Sequence, residues 1–128
     1  MKKLNICVDF DGTIVEHEYP RIGKEVPQCI ETLKELTEKG HKIILFTMRS
    51  GVTLLQAVDY LTKKGVVLYG INADPNQSSW TSSPKAFGNI YIDDAALGCP
   101  LTYSEDPLIR PCVDWGKVRE ILSSDGVL

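Results

Sequence analysis

Along the chain, short apolar runs alternate with longer stretches in which apolar residues return every third or fourth position. Leu4 to Val8 is short and largely apolar, the pattern of a strand covered on both faces. Tyr19-Pro20 and Gly23 punctuate Thr13 to Val26, which predicts a turn or small hairpin. Pro27 then opens a helix through Lys39, with Ile30, Leu33 and Leu36 on one face and Gly40 as its stop. Lys42 to Thr47 predicts a second buried strand. A second helix is expected from Thr53 to Lys64, with Leu54, Leu55, Val58 and Leu61 inward and Gly65 as its stop. Val66 to Ile71 is a weaker strand, Asn72 to Pro84 a polar loop, and Asn89 to Ile92 a short strand running into Asp93-Asp94. Leu97 to Leu101 reads as an edge strand, the place in a sheet that suits Pro100. Beyond Asp114, the residues Trp115, Val118, Ile121 and Leu122 fall at helical spacing.

Strands alternating with helices predict an α/β fold, with a mostly parallel, doubly wound sheet and helices on both faces. The chain of 128 residues is about one domain long, and no repeat or linker divides it, so residues 1–128 are read as one unit. In such sheets ligands bind beyond the carboxyl ends of the strands, which says where to look for chemistry.

Composition narrows the function classes. A hydrophobic fraction of 43% and a charged fraction of 24% are those of an ordinary globular protein. The net charge of −3 argues against a general nucleic-acid binder and leaves a phosphorylated nucleic-acid end open only as a substrate. No apolar run approaches membrane-spanning length, and the start of the chain lacks the apolar stretch of a signal peptide. Cys7, Cys29, Cys99 and Cys112 have no paired metal-site spacing, so free thiols in a reducing cytoplasm are expected.

Polar groups fall beside the ends of the apolar strands. Asp9 and Asp11 follow the first, Thr47 closes the second, and Asp93-Asp94 close a later one, with Lys85 on the loop leading into it. Singly, each has an ordinary explanation: a cap, a local backbone bond, a solvated charge. Together they place several carboxylates at one sheet edge, where they repel unless a cation neutralises them. Residues two apart in extended backbone point the same way, so Asp9 and Asp11 can face one site, and Gly12 lets the chain turn after them. The position of that Gly excludes an EF-hand loop.

Asp9-Phe10-Asp11-Gly12-Thr13, then Thr47, Lys85 and Asp93-Asp94, resemble in order the four motifs of the haloacid dehalogenase superfamily of phosphohydrolases. The resemblance implies a Rossmann-like core, a magnesium ion and hydrolysis of a phosphate monoester through an aspartyl-phosphate. It implies that Asp9 is nucleophile and metal ligand. Asp11 would be general acid and base, and would lend its backbone carbonyl to the metal. Thr47 and Lys85 would hold the phosphoryl oxygens. Asp94 would contact the metal, with Asp93 supporting the site. Relatives often insert a cap domain, whereas here Ile14 to Val26 is long enough only for a hairpin flap, so a small capless member is expected. Some nucleotide-directed relatives carry Arg after the paired aspartates, where this chain has Ala95.

Arg49 is placed to reach a leaving group or second phosphate, and a surface ion pair explains it equally well. Trp80 could stack on a base, although packing on the neighbouring loop is the simpler use. His17 and His41 read as solvated or structural. Two other functions share these residue types: a receiver-like module that accepts phosphate to signal, and an idle phosphate-binding protein. Expected partners are phosphorylated small molecules or polymer ends, with no membrane, and a homo-oligomer is compatible with an uncovered site.

Overall fold

The computed structural model describes residues 2–128. Four strands form a parallel sheet: β1 (Asn5–Val8), β2 (Lys42–Leu45), β3 (Gly70–Ile71) and β4 (Ile90–Ile92). Their order across the sheet is β3-β2-β1-β4. The chain therefore steps outward from β1 through β2 to β3, then crosses to the other side of β1. That reversal opens a crevice between β1 and β4, at the ends where Asp9 and Asp93 emerge. The α/β, Rossmann-like class is the observed one.

Three helices lie against this sheet: α1 (Cys29–Glu38), α2 (Gly51–Lys63) and α3 (Trp115–Ser124). Alternation along the strands decides what they meet. Ile6, Val8, Ile43, Leu45 and Ile92 share a core with Cys29, Leu33 and Leu36 of α1, Ala57 and Leu61 of α2, and Trp115, Val118 and Leu122 of α3. Each such aliphatic side chain, fully buried, contributes about 1.5–3 kcal/mol. Cys7 and Ile44 point to the second face, where Ala86, Phe46 and Tyr69 cover them. The helix expected there is a single 3-10 turn, Gln77–Ser79, within a loop. Gln77 holds that loop in shape, accepting from the N–H groups of Asp74 and Phe87 and donating to the Lys85 carbonyl, each at 2.9 Å. The second winding is thus reduced to one turn.

Several sequence boundaries shift for local reasons. Gln28 adopts a left-handed backbone with φ 67°, so α1 begins at Cys29 and Pro27 lies outside it. Leu55 is 69% exposed and belongs to the outer face of α2, not the inner one. The run from Val66 pairs only at Gly70 and Ile71. The expected strand Leu97 to Leu101 is mostly turn; its end starts a small hairpin of β5 (Leu101–Thr102) and β6 (Cys112–Val113), antiparallel and separate from the main sheet. Asp114 caps α3, its carboxylate accepting from the Lys117 N–H at 3.1 Å. Residues 14–26 fold back as a flap: Val15 pairs with Glu25, and the Val26 N–H donates to the Ile14 carbonyl at 2.9 Å. Among the described residues, no helix is long and apolar enough to cross a membrane.

Candidate active site

Three strand ends converge. The Asp9 N–H continues the β1–β4 ladder onto the Ile92 carbonyl at 3.0 Å, and the Phe46 N–H continues the β1–β2 ladder onto Val8 at 2.8 Å. Regular pairing thus carries Asp9, Thr47 and Asp93 to one edge. There a cleft of about 490 Å³ is lined by Asp9, Asp11, His17, Tyr19, Thr47, Met48, Arg49, Asp93, Asp94, Ala95 and Arg110.

Asp9, Asp93 and Asp94 each offer an oxygen, and these atoms lie within 4.8 Å of one another. Thr13, fully buried, ties two of them together: its hydroxyl donates to Asp9 Oδ2 at 3.0 Å and accepts from the Asp94 N–H at 3.2 Å. The Trp115 indole N–H fixes Thr13 in turn, donating to its carbonyl at 2.7 Å. Gly12 stands at φ 82°, and a Cβ there would collide with the His17 ring and the Asp94 carboxylate, so only glycine lets the loop pass so close. Burial, contact with Asp94 and the charge of Asp93 push the Asp9 carboxyl up to about 8. A hard divalent cation would relieve this crowding. The all-oxygen donor set fits magnesium, with Asp9, Asp93 and Asp94 as the residues to hold it.

Asp11 does not join that cluster. Its carboxylate is gripped by Arg49, which donates from Nε to Oδ2 at 2.8 Å and from Nη2 to Oδ1 at 2.7 Å. Arg49 is 2% exposed. Its remaining donors go to the carbonyls of Pro20, Arg21 and Thr53, and its guanidinium carbon lies 5.0 and 5.2 Å from the Phe10 and Tyr19 ring centroids. A guanidinium has five N–H groups, and all are committed. Of the two readings of Arg49, the ion pair with a nearby carboxylate is the one observed, buried and not at the surface, and it joins Asp11 to the flap.

Thr47 is positioned from behind. Its N–H donates to the Asn72 carboxamide oxygen at 2.8 Å, and its hydroxyl oxygen accepts from the Arg49 N–H at 3.1 Å. The hydroxyl proton remains for a ligand in the cleft. Lys85 lies outside the cleft walls. Gln77 pins its carbonyl to the second-face loop, and its ammonium sits 5.7 Å from the Tyr91 ring centroid. Trp80 packs edge-on against Phe87, as the simpler reading had it.

Several site residues were not legible as such. His17 Nε2 is 3.0 Å from Asp94 Oδ2, a contact that needed the flap's return path to be known. Tyr19 and Arg110 reach the cleft from loops that carry no periodic signal. His41, by contrast, is a structural histidine bridging the Leu4 N–H and the Val127 carbonyl.

One solved structure is similar along nearly the whole chain. Described as the structure of a conserved protein from Bacteroides thetaiotaomicron, it is 36% identical, matches over 97% of this chain and 93% of its own, and superposes with a TM-score of 0.80. The chain belongs to the family of that conserved Bacteroides protein. No protein-family model matches the chain, and no curated protein does.

Proposed function

We propose that this protein is a magnesium-dependent phosphomonoester hydrolase of the haloacid dehalogenase superfamily, acting through an aspartyl-phosphate on Asp9. The observation that carries the reading is the meeting of Asp9, Asp93 and Asp94 at the β1–β4 crevice, with the Thr47 hydroxyl on the same cleft. Bound magnesium would offset the carboxylate charge and polarise the phosphoryl group.

The chain's own residues account for the remaining steps. An Asp9 oxygen attacks phosphorus while the ester P–O bond breaks, and the leaving oxygen takes a proton from Asp11. Water then attacks the same phosphorus, its proton passing to Asp11, and inorganic phosphate departs with Asp9 restored. Thr47 donates its hydroxyl to a phosphoryl oxygen. For Asp11 to serve as acid and base, one of its oxygens must turn from Arg49 towards the leaving group. Lys85, held against Tyr91, is left out of the scheme. The four free thiols support a reducing, cytoplasmic setting.

The test is turnover of a simple aryl phosphate with magnesium and with chelator. Magnesium-dependent release that is lost in Asp9→Asn supports the reading; equal release in that variant would sink it.

A second reading draws on Arg49. With both Asp11 oxygens engaged by its guanidinium, a phosphorylated Asp9 would lack a free base and would persist, as in a phospho-accepting signalling module. A phosphoprotein that outlives a turnover cycle by orders of magnitude would favour it over hydrolysis.

A further inference from the structure

The charge of the cleft is one-sided. Four carboxylates, Asp9, Asp11, Asp93 and Asp94, face two guanidinium groups, Arg49 and Arg110. Arg49 is saturated by Asp11 and backbone carbonyls. Arg110 differs in every respect. It is exposed, and among the described residues its guanidinium forms no ion pair. It is the one uncommitted cation on the cleft wall among those residues.

Its placement is built. Arg110 lies near the end of the loop joining β5 to β6, and Pro111 after it restricts its backbone to extended conformations. Three residues on, the Val113 N–H donates to the Gly12 carbonyl at 3.0 Å, which ties this arm of the hairpin to the loop bearing Asp9 and Asp11. Ala95, with its short side chain, also lines the cleft. The carboxylates are half-buried, whereas Arg110, like Tyr19 and Met48, is exposed at the rim. With its phosphoryl group at half-buried Asp9, an ester would have its substituent on the solvent side, where this rim lies.

We propose that Arg110 is a specificity-determining residue that selects phosphate monoesters whose leaving group carries a second anion, a carboxylate or a further phosphate. This rests on the reading of the cleft as a phosphate-ester site. The planar fork of a guanidinium matches both anions through paired N–H bonds, and a rim position suits an outlying charge.

The experiment uses matched alkyl phosphates: propyl phosphate beside its ω-carboxylate and ω-phosphate counterparts, with spacers of two to four methylenes. The wild-type protein with magnesium is expected to favour the doubly anionic esters in kcat/KM. In Arg110→Gln that preference falls about tenfold, chiefly through KM, the loss of one charged hydrogen-bonded pair. Arg110→Lys keeps part of it. A preference ratio that stays constant in Arg110→Gln overturns the proposal, whether both ester types slow together, as for a phosphoryl-holding role, or neither changes. Failure to turn over any ester would overturn the hydrolase reading itself, a distinct result.

Discussion

Arg49 holds Asp11 through two parallel N–H···O bonds of 2.8 and 2.7 Å, and the same guanidinium holds the flap carbonyls of Pro20 and Arg21. One side chain thus fixes the residue assigned to proton transfer and the segment lying over it. Breaking a buried ion pair from one side leaves the other charge uncompensated, typically at about 3–5 kcal/mol. Arg49→Gln is therefore expected to lower urea-unfolding stability by about 3 kcal/mol, and Asp11→Asn by at least as much, because the charge it leaves behind is the fully buried guanidinium. The double variant should fall well short of the sum, since the two losses are one interaction. Strict additivity would contradict the assignment.

The Asp9 carboxyl gives a pH signature. Its folded value of about 8 lies above the ordinary 3.8, so the folded state holds this proton more tightly. The associated stability is complete below about pH 4 and is lost as pH rises towards about 8. Metal-free protein should show a Tm that falls across that window, and Asp9→Asn should flatten the fall. Magnesium added at pH 8 should raise the wild-type Tm and leave that of Asp9→Asn nearly still. Parallel curves for the two proteins without metal would contradict the crowding of Asp9.

Trp115 links α3 to the loop that follows Asp9 through its 2.7 Å bond to the Thr13 carbonyl. Trp115→Phe keeps most of the apolar contact and strands that carbonyl, which costs about 1–3 kcal/mol. Turnover should fall with stability, because Thr13 bridges Asp9 and Asp94. A variant as stable and active as wild type would show the bond to be dispensable.

His17 orients Asp94 from 3.0 Å. Groups that orient a metal ligand typically contribute about 10–100-fold in metal affinity. Titrating magnesium against Tm should reveal a loss within that range for His17→Phe, with less change for His17→Gln, which can still hydrogen-bond. Identical titrations for wild type and His17→Phe would remove His17 from the site.

Sequence pattern alone located the sheet, because its central strands are buried on both faces and read as apolar runs. It also located Asp9, Asp11, Thr47 and the Asp93-Asp94 pair, because acidic residues at strand ends stand out from that background. It failed where position depends on how loops return. Lys85 is drawn to the second face by Gln77 and Tyr91, neither of which marks it in sequence. His17 and Arg110 reach the cleft through a flap and a hairpin whose paths rest on long-range bonds, such as Val113 to Gly12. For Arg49 an ion pair was one of two readings, but its burial and its choice of Asp11 are what spacing cannot show.

The most direct measurement is chemical trapping during turnover. Protein quenched in acid while hydrolysing an aryl phosphate with magnesium, then reduced with borohydride, should yield homoserine at position 9, the product of an aspartyl-phosphate. Turnover without homoserine at that position, or with the label on Asp11, Asp93 or Asp94, would contradict Asp9 as the nucleophile.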